Sequence, residues 1–480
     1  MARPYDAEAV QPAGDVPHEA CGVVGLYAPG EDVARRVYFG LYALQHRGQE
    51  SAGIAVGDGS ALDAHREMGL ITGVFDEEIL ARLRGDVAIG HTRYSTSGSS
   101  IVVNAQPFVE ASSLGPFAFA HNGNVTNAEE LRAALPPDTV LEATSDSEIL
   151  ARTIALSPGD DWPSKVRATI RVADGAYSVV MCTPDALVAF RDPWGVRPLC
   201  VGTYGDGWMV ASESCALATV GAAYLREIEP GEIVSIDAGG LRSYRSERIK
   251  PASLCMFEYI YFARPDSVLA GRSIYMARYA MGRALAREHP VEGDVVMAVP
   301  DSAIPGAIGF SAESGLPYVE GLIKNRYIGR TFISPDQKLR SQGVQLKFNP
   351  IVENLRDQRV VVVDDSIVRA TTTPRIVALL REAGAREVHV RITSPPIVHP
   401  CYLGVDMATY AELVAANLSV EQIRERIGAD SLGFLSIEAL VDASARDANE
   451  VCLGCLDGRY PARPAVSVGG VQADGQPALK

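Results

Sequence analysis

The stretch VVVVDDSIVRATTTP, residues 360–374, constrains the fold more than any other part of the chain. Four consecutive valines run into two carboxylates, and a loop of small, hydroxyl-bearing residues follows. Thr373 then suits the cap of a helix and Pro374 its first turn. An uninterrupted Val run does not alternate, so it reads as a strand buried on both faces of a parallel sheet. Val-rich strands and helices keep alternating around it. The periodicity predicts a helix over 273–288, strands over 294–299, 359–363 and 388–392, and a helix over 374–383 closed by Gly384. The second half is therefore expected to be an α/β domain with a mainly parallel sheet, beginning near residues 250–270.

The first half has a different texture. Residues 32–46 place Val33, Val37, Leu41 and Leu44 on one helical stripe. Short strands are predicted at 53–56, 87–91, 117–121, 178–181, 187–190 and 232–236, bounded by Gly, Pro and Asp turns. Many strands with few helices predict stacked antiparallel sheets flanked by helices. The net charge of −15 disfavours nucleic acid and anionic membranes as partners, so an anionic substrate needs a local basic pocket. No run is long and apolar enough to span a membrane, and residues 1–20 lack the apolar core of a secretory signal, which predicts a cytoplasmic protein. Eight cysteines in 480 residues are too sparse for a disulfide scaffold.

Two clusters of chemistry stand out in the second half. Backbone N–H groups at the start of the 374–383 helix, with the hydroxyls of Thr371 and Thr372, form a phosphate cradle. Asp364 and Asp365 would repel a phosphate and are better suited to ribose hydroxyls or a magnesium ion. The plainer alternative is a strand-to-helix turn with solvated carboxylates. Cys452 and Cys455 have chelating spacing, and with Cys255 and Cys401 they would offer four thiolates to an iron–sulfur cluster or a structural zinc. A redox pair is the alternative for the Cys452–Cys455 pair alone.

The 360–374 loop resembles the phosphoribosyl pyrophosphate (PRPP) loop of type I phosphoribosyltransferases. EYIYFARPDS (258–267), VPDSAIPGAIGF (299–310), GLIKNRYIGRTFISPDQ (321–337) and SPPIVHPCYLGVD (394–406) narrow the resemblance to the amidophosphoribosyltransferase family. It runs from about Cys21 to Pro461. The resemblance implies PRPP contacts at Asp364, Asp365, Ser366, Ile367, Val368, Arg369, Ala370, Thr371 and Thr372, and a pyrophosphate loop at 299–302. Ser302, Asp364 and Asp365 would hold Mg2+. Residues 324–347 would close over PRPP and bring positive charge, including Lys324 and Lys347. The family's loop has Gly where this chain has Ala370. A positive φ there would lower PRPP affinity by roughly a kcal/mol, and the alternative function is a non-catalytic paralogue with weakened PRPP binding. The resemblance favours a [4Fe–4S] cluster on Cys255, Cys401, Cys452 and Cys455.

Such a family takes ammonia from glutamine, which requires a nucleophile, a base, an oxyanion hole and a substrate clamp. Removal of residues 1–20 would expose the α-amino group of Cys21, making it nucleophile and base together. Arg93 in GHTRYST suits the α-carboxylate of glutamine, and Asp146 in TSDSE suits its ammonium. Asn122 and Gly123 in HNGN offer oxyanion donors, and Arg47 and Gly48 in LQHRGQE would line the pocket. Each has an ordinary alternative: a capping box of Ser145 and Glu148, an Asn-Gly turn, a salt bridge, a buried thiol. Together they resemble the N-terminal-nucleophile glutaminase domain. His91 and His121 are expected to be structural. Propeptide-bearing relatives carry an acidic residue before the nucleophile, and here it is Ala20.

The organisation implied is a propeptide (1–20), a glutaminase domain (21–255), a phosphoribosyltransferase domain (256–460) and a flexible tail (461–480). The reaction implied is glutamine, PRPP and water giving 5-phosphoribosylamine, glutamate and pyrophosphate, the first step of purine synthesis, with ammonia passed between sites. The resemblance also implies a homo-oligomer, tetramer or dimer, inhibited by purine nucleotides. A different glutaminase-domain amidotransferase is the rival, and the 360–374 loop argues against it.

Overall fold

The computed structural model describes residues 21–94, 100–325, 348–407 and 409–462. The expected propeptide, the basic segment 326–347 with Lys347, and residues 463–480 of the expected tail lie outside the described residues.

Two antiparallel sheets build the first half. One runs in the order Ala223–Glu227, Cys200–Tyr204, Gly207–Ala211, Gly22–Tyr27, Val87–Arg93, Ser51–Gly57, Leu62–Met68. The other runs Gly240–Arg245, Glu232–Asp237, Leu187–Arg191, Gly175–Cys182, Gly115–Val125, Phe108–Ser112. Alternation along each strand sets the layers. Val24 and Leu26 pack with the helices Val33–Ala43 and Ser214–Val220 on the outside of the first sheet. Val23 and Tyr27 point the other way, into the core shared with the second sheet. The helices Asp146–Leu156 and Trp162–Val172 cover the second sheet's outer face. The layer order is helix, sheet, sheet, helix, as the strand density predicted. Val33, Val37, Leu41 and Leu44 are all buried, so the expected stripe is the inward face of its helix. Cys182, Cys200 and Cys215 are core residues of this half.

The second half carries four parallel strands in the order Val295–Ala298, Arg359–Asp364, Glu387–Ile392, Ser431–Phe434. The valine run divides between two cores. Val361 and Val363 pack with the helices Ile274–Glu288 and Ile304–Ser314. Val360 and Val362 pack with Thr373–Glu382 and Val420–Ile427. Both faces are covered, which is why the run does not alternate with polar residues. One expectation needs correction: the helix after the loop begins at Thr373, so Thr372, not Thr373, occupies the cap position. Its backbone is already helical there (φ −88°, ψ −45°).

The halves share a core. Trp194 and Val196 pack with Met256, Phe257 and Tyr259, and Leu254–Cys255 pairs in parallel with Val451–Cys452.

Candidate functional site

Cys21 lies immediately before the strand Gly22–Tyr27 and is 9% exposed. Its thiol donates to the Tyr94 carbonyl at 3.4 Å. Burial pushes the thiol pKa up, the contact with Tyr94 and the positive charge of Arg93 oppose that, and Glu50 and Asp146 add to it. Three predicted glutamine-site residues therefore lie within reach of one another's charge. Strand pairing explains this: Gly22 sits opposite Thr92, which delivers Arg93 beside Cys21. Arg93 Nη1 is 3.6 Å from Glu50 Oε2, a partner the sequence reading passed over although Glu50 closes LQHRGQE.

Asn122 and Gly123 come from the other sheet, near the end of Gly115–Val125. Asn122 is fully buried, and among the described residues neither its Nδ2 nor its Oδ1 has a hydrogen-bond partner. An orphaned buried amide is unusual and calls for a missing ligand or water. Gly123 has φ +148°, and a Cβ there would lie 1.9 Å from the Ala176 carbonyl oxygen, so no side chain fits. His91 Nε2 is 3.1 Å from the His121 carbonyl, tying the end of the Arg93 strand to the Asn122 strand. Burial lowers both imidazole pKa values, His91 to about 3, which favours the neutral form of both rings.

Asp146 begins the helix Asp146–Leu156, and its Oδ2 accepts from Val125 N–H at 2.8 Å. The capping box is not formed: Ser145 makes no cap bond and Glu148 instead accepts from the N–H groups of Glu142 and Ala143. The Asn-Gly pair is likewise no hairpin turn, because it lies inside a strand paired with Ser178 and Tyr177.

Arg47 departs from its expected role. Its guanidinium is fully buried and bound to Glu213 and Glu258. Any contact with glutamine must come from its backbone, because the side chain belongs to the junction between the halves. Gly48 does adjoin the clamp: a Cβ there would be 2.6 Å from backbone atoms of both Thr92 and Arg93.

In the second half, Asp365 is buried and accepts from Ser302 Oγ at 2.5 Å and from Ser366 Oγ at 2.7 Å. Burial raises its pKa. Asp364, at the end of the strand, accepts from Asp365 N–H at 2.9 Å. The 299–302 loop and the paired aspartates thus meet at the carboxyl edge of the parallel sheet, the ligand edge of such folds. Lys324 Nζ is 2.7 Å from Asp301 Oδ2, which brings one positive charge to that loop. Arg369 pairs with Glu412, and the Val368 carbonyl accepts from Val414 N–H. Ile367 and Val368 are core residues, so they can offer a ligand only backbone groups. Ala370 has φ +54°, the left-handed region. This is the condition under which the Cβ is expected to weaken PRPP binding, because an L-residue is strained there by roughly a kcal/mol.

The four late cysteines form no disulfide. Cys255 sits opposite Cys452 in their short parallel pair. Burial raises the pKa of Cys255 to about 11, and of Cys452 and Cys455 further, with the other thiols adding to each shift. Arg197 works against the shift at Cys255 and Cys452. Among the described residues no group of three or more His, Cys, Asp or Glu side chains is gathered tightly enough for a single metal ion.

A family model described as a glutamine amidotransferase domain matches residues 91–219. Amidophosphoribosyltransferase of Synechococcus elongatus is 50% identical over 454 residues, covering 93% of this chain and 92% of its own. The Methanocaldococcus jannaschii protein of the same name is 47% identical over 460 residues, covering 92% and 97%. A solved structure described as glutamine phosphoribosylpyrophosphate (PRPP) amidotransferase from B. subtilis complexed with ADP and GMP is 47% identical. It superposes with a TM-score of 0.87 and covers 92% of this chain and 98% of its own.

Proposed function

The chain belongs to the amidophosphoribosyltransferase family, and on that premise we propose how its residues divide the transfer of glutamine nitrogen to PRPP, the first step of purine synthesis. The observation that carries the reading is the buried Asn122 amide, without a hydrogen-bond partner among the described residues, beside a glycine that tolerates no side chain.

Cys21, freed of residues 1–20, attacks the amide carbon of glutamine. Its own α-amino group takes the thiol proton and returns it to the departing ammonia. Burial keeps the thiol protonated near neutrality, so this internal base is needed. The Asn122 side-chain N–H and the Gly123 backbone N–H receive the oxyanion. Arg93 holds the α-carboxylate and Asp146 the α-ammonium. Water then releases glutamate from the thioester. Ammonia passes to C1 of PRPP, displacing pyrophosphate and leaving 5-phosphoribosylamine. Shielding the transfer from bulk water keeps the ammonia unprotonated.

PRPP lies at the sheet edge, its 5-phosphate on the backbone of 366–372 and its ribose hydroxyls toward Asp364 and Asp365. Ser302, Asp364 and Asp365 would hold Mg2+, which supplies countercharge for the leaving pyrophosphate. Asp365 is pre-set for this by its two hydroxyl donors.

Cys255, Cys401, Cys452 and Cys455 would hold a structural [4Fe–4S] cluster, in which each iron takes one thiolate. The four thiols sense one another's charge, with Arg197 beside them. Protein purified without oxygen should carry iron and sulfide in equal amounts, and Cys455→Ser should lose both; zinc in their place overturns the assignment.

ADP and GMP on the relative support purine nucleotides as inhibitors of this chain. A homo-oligomer, tetramer or dimer, is part of the same reading, as is a cytoplasmic location; no helix among the described residues is long and apolar enough to cross a membrane.

The function is tested with chain beginning at Cys21, by following glutamate release with and without Mg-PRPP. Release should rise with Mg-PRPP and vanish in Cys21→Ala. No stimulation by PRPP overturns the reading.

A further inference from the structure

The oxyanion strand end is held from outside by the second half. Strand Phe108–Ser112 pairs with Gly115–Val125 only as far as Phe119, so residues 120–125 have a strand neighbour on one side alone. On the side chains' route outward, Asn124 Nδ2 donates to the Tyr402 carbonyl at 2.8 Å, 278 residues away in sequence. Gly404, with φ +97°, comes so close to Gly123 that a Cβ would lie 3.0 Å from its carbonyl carbon and 3.2 Å from its Cα. Arg197, fully buried, fixes the same loop: its Nε donates to the Leu403 carbonyl at 3.2 Å and its Nη1 to Glu258 at 3.3 Å.

We propose that residues 402–404 are a strut for the oxyanion hole, with Asn124 as the positioning residue that transmits it. The proposal rests on the glutaminase reading of Asn122 and Gly123. Oxyanion donors act when they lie about 2.7–3.1 Å from the position the oxyanion will occupy, and a misplacement of about 1 Å can cost about a hundredfold in rate. Among the described residues the Asn122 side chain has no partner of its own to hold its amide. Its placement is set by its strand, which is held by Ser178 on one side and, two residues on, by the other half. The glutaminase centre is completed by the domain that consumes its ammonia.

The test uses full-length mature enzyme and Asn124→Ala, with Asn124→Gln as the conservative variant. Four quantities are measured: kcat and KM for glutamine, inhibition by glutamate γ-aldehyde, and phosphoribosylamine formation from ammonia. The aldehyde reports on the hole, because addition of the Cys21 sulfur to its carbon turns its oxygen into the oxyanion. Asn124→Ala should lower kcat for glutamine about tenfold with KM changed less than about twofold, and should weaken the aldehyde about tenfold. Ammonia-dependent synthesis should be unchanged, and Asn124→Gln should recover part of the loss. An unchanged kcat and aldehyde affinity, or an equal fall in the ammonia-dependent reaction, overturns the strut. Parent enzyme that hydrolyses no glutamine overturns the functional reading instead.

Discussion

Arg47 and Glu258, separated by 211 positions in sequence, form a fully buried ion pair with Nη2–Oε2 at 2.5 Å. Glu258 also receives Arg197, and Arg47 also binds Glu213. Burial alone would push the Arg47 guanidinium toward neutrality, but the two carboxylates overcome it and leave its pKa raised. Removing Glu258 would leave two buried guanidinium groups short of countercharge. Glu258→Ala is expected to lower unfolding stability by about 3–5 kcal/mol, read as a shift of the urea midpoint.

His91 makes stability depend on acid. Its folded pKa is about 3 against an ordinary 6.5, because burial disfavours the charged ring. The unfolded chain therefore takes up a proton first as pH falls. The stabilisation is complete above pH 6.5 and is lost between about 6.5 and 3. It amounts to about 3–5 kcal/mol. Thermal unfolding across that window should show a flatter pH dependence for His91→Gln than for the parent.

Ala370 lies in the left-handed region, where a residue with a Cβ is strained. In Ala370→Gly, relief of strain is offset by chain entropy and by loss of a buried methyl, leaving stability within about 1 kcal/mol. Calorimetry should find Mg-PRPP bound more tightly by Ala370→Gly, by up to about fivefold, as relief of roughly a kcal/mol of strain predicts. Ala370→Val should be destabilising, because a β-branched residue is strained further in that region.

Asp365 is isolated from the glutaminase reaction by using ammonia as the nitrogen source. Asp365→Asn keeps the shape but removes one acceptor of the two hydroxyl bonds and the carboxylate charge proposed to hold Mg2+. Ammonia-dependent kcat/KM for PRPP should fall about 10–100-fold. PRPP-independent glutamine hydrolysis should be unchanged.

Much of this was legible in local sequence. The Val33–Leu44 stripe and the valine run carry their own periodicity, so both helix and parallel strand follow from neighbouring residues. Cys21, Arg93, Asn122, Gly123 and Asp146 could be named because each sits in a short pattern at a strand end or helix start. Arg47 misled for the same reason. It belongs to a pocket-like motif, yet its side chain answers to Glu213 and Glu258, which lie 166 and 211 residues away. The cap at Thr373 failed by one residue because the loop turns helical early. Nothing in HNGN indicated that Asn124 reaches Tyr402.

Residue order alone settles the two textures of the chain, the chemistry available at each motif and the class of ligand each can hold, because these depend on side-chain type and short-range period. Which buried amide lacks a partner among the described residues, which arginine is withdrawn into a buried ion pair, and which loop Asn124 reaches were decided by packing. Those outcomes turn on contacts between segments hundreds of residues apart, where burial and distance, not spacing along the chain, set the energy of every charge and hydrogen bond.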